Sequence, residues 1–190
     1  MNLVGSAMTV AIWVYQTGAG TNCPRLIDGG NVNSQYTLVA QCGNILYRPV
    51  TSGGLGDTNS GSFSYNTWHL VVATYDGSST HLYIDGTQVA STSINGNLQV
   101  SGTDAFIGGD NSPSYFVGDL ANGQVYGTAL SSAQVTQLYD EGLEGAPISG
   151  AGLVAWWPLE GNAIDATGNG NNGAPQGTVT YVSPTAPLPP

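Results

Sequence analysis

The sequence predicts an all-β protein, a two-sheet antiparallel sandwich with one short helix. Three observations carry this expectation. Apolar residues recur with period two in many short runs, Gly, Asn, Asp and Ser punctuate those runs, and only one segment has helical spacing.

Residues 8–15 alternate Val10, Ile12 and Val14 with Thr9, Ala11, Trp13 and Tyr15. Both sets are largely apolar, which places this strand inside the sandwich. Residues 25–28, before Gly29-Gly30, form a short strand and turn. Residues 36–42 and 45–50, divided by Gly43-Asn44, form a hairpin, and Pro49 sets the second strand at a sheet edge or a strand end. Residues 68–75 stop at Asp76-Gly77, residues 80–84 stop at Asp85-Gly86, and residues 87–91 follow. Asp-Gly tolerates the positive φ of tight hairpin turns, so these three strands form a meander. Residues 105–109 and 115–126 supply two more strands.

The helix is expected over residues 131–139. Ser131 can cap its free amides, Val135, Leu138 and Tyr139 share a face, and Gly142 ends it. Residues 143–152 have the composition of a linker, with Gly145, Pro147, Gly150 and Gly152. Residues 153–159 and 178–182 read as strands again. Residues 183–190 hold four prolines and form an extended tail.

The chain's 190 residues suffice for one domain, or one domain with a short appendage. Only 7% of them are charged, against about a quarter in ordinary soluble domains. There is no lysine, and Arg25 and Arg48 are the only strong cations. Ser, Thr, Asn and Gln must therefore carry solubility, as in exported β proteins, and an extracellular or cell-surface setting is expected. The formal net charge of −10 excludes nucleic acid and an anionic membrane surface as partners. It suits divalent cations and neutral ligands such as sugars, and it also serves plain solubility. No apolar run is long enough for membrane insertion, and no signal peptide is present, so any export signal lies upstream or has been removed. Cys23 and Cys42 either form a disulfide, contributing about 3 kcal/mol, or stay as two buried thiols.

Taken together, Trp68-His-Leu-Val-Val-Ala-Thr-Tyr-Asp-Gly77, Leu82-Tyr-Ile-Asp-Gly86, Ile107-Gly-Gly109 and the run from Phe116 through Leu120-Ala-Asn-Gly-Gln-Val-Tyr126 to Leu138-Tyr139 resemble the laminin-G-like jelly rolls of the concanavalin A-like superfamily. The order and spacing of the motifs agree over residues 3–142. The resemblance implies a jelly-roll sandwich of two antiparallel sheets, one of them concave. It also implies a non-catalytic extracellular module that binds a glycan or a protein surface in adhesion, with structural calcium in many members.

Residues 153–160 and 165–173 resemble the family's first strand and the loop after it, which ordinarily come before a segment like residues 3–15. The strand between those two regions, ordinarily close to Phe-Asp-Gly-x-x-Asp-Tyr-Val, is missing. The chain is therefore expected to divide into a sandwich at 1–142, a linker at 143–152 and a displaced first strand and loop at 153–190. That tail folds back onto its own domain, is donated to a neighbour as a homo-oligomer, or begins a further repeat. The linker's ten or so residues span on the order of 30 Å, enough for folding back. Donation makes the chain a structural subunit of an extracellular or virion assembly.

Calcium, if held, falls to the loop of Asp165, Gly168, Asn169 and Asn171, whose hard oxygen donors suit that ion. Asn122 completes the set: where the family often has Asp-Asp-Val, this chain has Ala121-Asn122-Gly123. The alternative is an Asx-rich turn held by its own hydrogen bonds. For sugar, an aromatic platform is needed, and Trp157, Tyr65 and Tyr115 are the candidates, with Tyr47 behind them. Trp156 and Trp157 must point to opposite faces of a regular strand, so one faces the core and the other a partner, ligand or solvent.

Catalysis is not expected. The glucanase relatives carry Glu-x-Asp-x-x-Glu on one strand, and this chain has no such run. Its acids lie mostly in turns, His69 and His81 occupy strand positions, and no Gly-x-Ser-x-Gly elbow is present.

Overall fold

The computed structural model describes residues 3, 5–19, 24–29, 36–41, 44–61, 63–99, 105–109 and 115–182. Two antiparallel sheets face each other. The first runs β12 (Leu153–Trp157), β11 (Gly118–Tyr126), β1 (Met8–Gln16), β7 (Trp68–Tyr75), β8 (Ser79–Ile84) and β9 (Thr87–Ser93). The second runs β10 (Phe106–Ile107), β2 (Arg25–Asp28), β3 (Tyr36–Gln41), β4 (Asn44–Thr51) and β5 (Gly54–Leu55), with β6 (Thr58–Asn59) also on β4. The jelly-roll sandwich expected from the sequence is what the chain forms.

The doubly apolar pattern of β1 has a direct cause. Val10, Ile12 and Val14 meet Leu26, Leu38, Ile45 and Tyr47 of the opposite sheet in the main core. Ala11 and Trp13 face the other way, into a second apolar layer with Leu70, Val72, Tyr126, Val135 and Leu138. The helix α1 (Ser132–Glu141) roofs that layer, and Tyr139 stacks on Trp13 at 5.8 Å between ring centroids. Each large apolar side chain so buried stabilises the fold by about 1.5–3 kcal/mol.

Local chemistry places the boundaries. Ser131 caps α1 in a reciprocal box with Gln134, and Gly142, at φ 79°, ends the helix. Asp85 and Gly86, at φ 51° and 75°, make the two-residue turn joining β8 to β9. Asp76 instead gathers the Ser78 and Ser79 amides on its carboxylate.

The segment 143–152 is more than a spacer. Leu143, Ile148 and Ala151 are buried in the second layer, extending the cover that α1 begins. It delivers β12 antiparallel to β11, with Trp157 opposite Gly123 and Ala155 opposite Val125. Residues 178–182 form no ladder, contrary to their alternating pattern. Val179 and Val182 are exposed, because period two favours an extended, half-buried segment but cannot supply the strand beside it. Cys23 and Cys42 lie outside the described residues.

Candidate functional site

The Asp165 loop is ordered by its own donors. Asp165 is buried, and its Oδ1 accepts from the Trp156 N–H at 3.1 Å, the Thr167 N–H at 3.0 Å and the Thr167 hydroxyl at 2.7 Å. Its Oδ2 accepts from the backbone and side-chain amides of Asn171 at 3.0 and 3.1 Å. Burial pushes this carboxyl up, but these donors outweigh it and hold the group below the usual carboxylate range. A carboxylate offers about four lone-pair positions, so five donors leave none for a cation in this arrangement. Asn169 and Asn171 both point amide nitrogens, not oxygens, at the Val154 carbonyl. Gly168 donates weakly to the Asp165 carbonyl at 3.4 Å. Among the described residues no group of three or more His, Cys, Asp or Glu side chains could hold a metal ion. The calcium set read from the sequence does not fit the donors seen here.

Asn122 is likewise engaged away from that loop. In left-handed backbone at φ 49°, its Oδ1 accepts from the Trp156 indole and from Gln124, both at 2.8 Å, and its Nδ2 donates to the Gly145 carbonyl at 2.8 Å. Tyr126 extends the chain of bonds, donating to Gln124 Oε1 and accepting from the Ile148 N–H at 3.0 Å. Burial pushes the Tyr126 phenol up to about 12, so it remains protonated in this role. Asn122 thus ties β11, the 143–152 segment and β12 together.

The two adjacent tryptophans do divide between faces. Trp157 is the inward one, 4% exposed in the main core, with its indole N–H on the Asn171 carbonyl at 2.8 Å. It has no face to offer a sugar, which corrects its place among the candidates. Trp156 is the half-buried, outward indole beside Pro158, Glu144 and Glu160. Which of the two faces inward depends on the absolute register of β12 against β11, which parity alone does not supply. Tyr47 is fully buried.

Tyr65 and Tyr115 come to the same end of the sandwich. Tyr65 precedes β7 and Tyr115 precedes β11, and both strands begin beside the end of β1, at Tyr15↔Trp68 and Gln16↔Gly118. The Asn66 N–H bonds the Gln16 carbonyl at 2.8 Å, and the Thr17 N–H bonds the Val117 carbonyl at 3.0 Å. Gly118 permits the close approach: a Cβ there would lie 2.0 Å from the Tyr15 carbonyl oxygen. Around this end Tyr65 is 38% exposed, Tyr115 61% and Val117 45%. Half-buried Tyr15 and Trp68 pack with ring centroids 5.6 Å apart. Exposed Asp119 sits opposite Tyr15 in the ladder. The ladder thus sets the Tyr15–Trp68 pair and Asp119 at one end of the sandwich, with exposed Tyr65 and Tyr115 on the segments that lead into β7 and β11, and these groups make up an aromatic rim.

The same end holds a cluster that sequence reading missed. Ser64 Oγ lies 2.8 Å from His69 Nε2, and His69 Nδ1 lies 2.7 Å from Asp85 Oδ2. The available signal was the β7–β8 register, Val71↔Ile84, which carries residues 69 and 85 to neighbouring positions.

A family model described as the concanavalin A-like lectin/glucanases superfamily, laminin-G type, matches residues 1–136. No curated protein matches the chain. Among solved structures, one described as "a putative carbohydrate binding protein" from Bacteroides ovatus ATCC 8483 superposes with a TM-score of 0.66 at 19% identity, covering 87% of this chain and 51% of that one. The binding domain of Paraclostridial Mosquitocidal Protein 1 superposes with a TM-score of 0.57 at 18% identity, covering 73% of this chain and 38% of that one. This chain thus spans about half or less of either neighbour, and at these identities the likeness is one of fold. The family match covers most of the sequence, and with the two-sheet architecture it makes the chain a member of the laminin-G-like branch of the concanavalin A-like lectin/glucanase superfamily.

Proposed function

We propose that this chain is a carbohydrate-binding module that holds a neutral sugar against the aromatic rim at the end of β1. The observation that carries this is the gathering of Tyr65, Tyr115, Trp68 and Tyr15 around one strand end, with Asp119 beside them. Sugars present apolar C–H faces that stack on aromatic rings and hydroxyls that bond to carboxylates and amides, and this rim offers both kinds of group. The description of the Bacteroides neighbour as "a putative carbohydrate binding protein" supports the same reading. No glycosidic cleavage is proposed, since the acids sit mainly in turns and ion pairs: Asp76 in an Asx turn, Asp28 with Arg25, Asp57 with Arg48. An extracellular setting is proposed with it, supported by the lysine-free, amide-rich composition. A glycan array probed with the intact chain is the test: a hit weakened at least tenfold in Tyr65→Ala and Tyr115→Ala supports the module, and silence across the array removes it.

We also propose that β12 remains with its own chain. The buried Leu143, Ile148 and Ala151 and the bonds of Asn122 and Tyr126 to residues 145 and 148 take up the length that a donated strand needs to reach a neighbour. Light scattering across a wide concentration range is expected to give a single monomeric mass. A concentration-dependent ladder abolished by deleting residues 146–190 makes strand exchange, and the assembly alternative, the correct description.

A further inference from the structure

The proposed sugar rim leaves the Ser64–His69–Asp85 cluster unexplained, and nothing in the superfamily match assigns it a role. Its geometry meets the requirements of an activated serine one by one. The Asp85 carboxylate can only accept, so the neutral His69 imidazole carries its proton on Nδ1 and turns the Nε2 lone pair toward Ser64. Asp85 is itself fixed: Oδ1 accepts the Leu70 N–H at 3.0 Å, and its own N–H donates to the Leu70 carbonyl at 2.9 Å. Phe63 lies edge-on to the imidazole at 5.2 Å, limiting its rotation. Ser64 is held from both sides, by Phe63 inserted in the core and by Asn66, at φ 58°, bonded to Gln16. Ser64 is nonetheless an exposed residue. The Tyr65 N–H, next in the chain, has no acceptor among the described residues, and a developing oxyanion needs such a donor.

We propose that Ser64 is a nucleophile for small acyl esters, with His69 as its general base and Asp85 as the group that orients His69. Ser64 Oγ attacks the ester carbonyl carbon as its proton passes to His69 Nε2. The carbon–oxygen bond to the alcohol then breaks, and the departing oxygen takes that proton. Water attacks the acyl-serine, gives its proton to Nε2, and the carboxylic acid leaves as Ser64 recovers its hydrogen. The side chain of Tyr65, adjacent to the nucleophile, places the alcohol portion of the ester on the aromatic rim. The natural substrate class is then an O-acylated sugar, a step that rests on the glycan reading, whereas the nucleophile does not.

The test uses the intact chain with a fluorophosphonate probe and with p-nitrophenyl acetate. The wild type is expected to take one label, mapped to the peptide bearing Ser64. Ester turnover is expected to fall about 100-fold or more in Ser64→Ala, whose exposed position leaves folding intact, as thermal unfolding checks. Asp85→Asn, which keeps the left-handed turn, should lose turnover while still binding any glycan found on the array. A wild type that takes no label, or label and turnover that persist in Ser64→Ala, overturns the proposal and leaves the sugar reading standing. Labelling at Ser64 with a silent array supports the nucleophile and removes only the sugar as its substrate.

Discussion

The Asp165 loop and the rim at the end of β1 both have the composition of a binding site, and the structure treats them oppositely. In the loop, the carboxylate and the amides consume one another: Asp165 takes five donors, and the asparagine amides close on Val154. On the rim, Tyr65 and Tyr115 stay exposed, at 38% and 61%. A polar cluster whose hydrogen-bonding capacity is spent internally is a fastener, while rings that stay uncovered despite the cost of wetting them mark a surface kept open for a ligand. Substitutions in the first region should therefore cost stability, and substitutions in the second should cost binding.

Trp157→Ala gives the largest expected effect. It removes an indole from the main core beside Ala155 and Val125 and should destabilise the protein by about 3–5 kcal/mol in denaturant unfolding. A loss under about 1 kcal/mol makes the tail an appendage rather than a structural strand.

Asp165→Asn comes next, at about 1.5–3 kcal/mol, because it weakens the charge-assisted acceptor of the loop. Its pH dependence has a definite sign. A carboxyl whose folded value lies below the unfolded value near 3.9 contributes its stability above that value and loses it as pH falls through the depressed one. The wild type should thus begin to lose this increment as pH falls below about 3.9, and Asp165→Asn should lack that limb of the curve. Chelation should leave the melting temperature unchanged. A rise of several degrees with added calcium contradicts the donor geometry described above.

Tyr65→Ala and Tyr115→Ala close the series. Each lies on the surface and should change stability by no more than about 0.5 kcal/mol.

Much of the architecture was legible beforehand, for physical reasons visible in particular segments. The two apolar faces of β1 announced a strand covered on both sides, and Ser131 with Gln134 announced the helix start. The packing of residues 143–152 was obscured because four glycines and prolines outweigh Leu143, Ile148 and Ala151 in any local pattern, and only the α1 roof gives those three a place to bury. The Asp165 loop left two descriptions open because the same oxygen-rich residues serve calcium or an Asx network, and the choice depends on where the amide hydrogens point, which the sequence does not carry. His69 and Asp85 were legible as a strand residue and a turn residue, but their grouping with Ser64 was not, because no sequence motif spaces the three; the β7–β8 hairpin and the Phe63 anchor do.

The most direct measurement compares two variants on the glycan hit found with the wild type. The rim account predicts that Tyr65→Ala/Tyr115→Ala, folded as the wild type is, loses that hit while Asp165→Asn keeps it below its melting point. Loss in Asp165→Asn with retention in the tyrosine pair moves the binding site to the loop and contradicts the account.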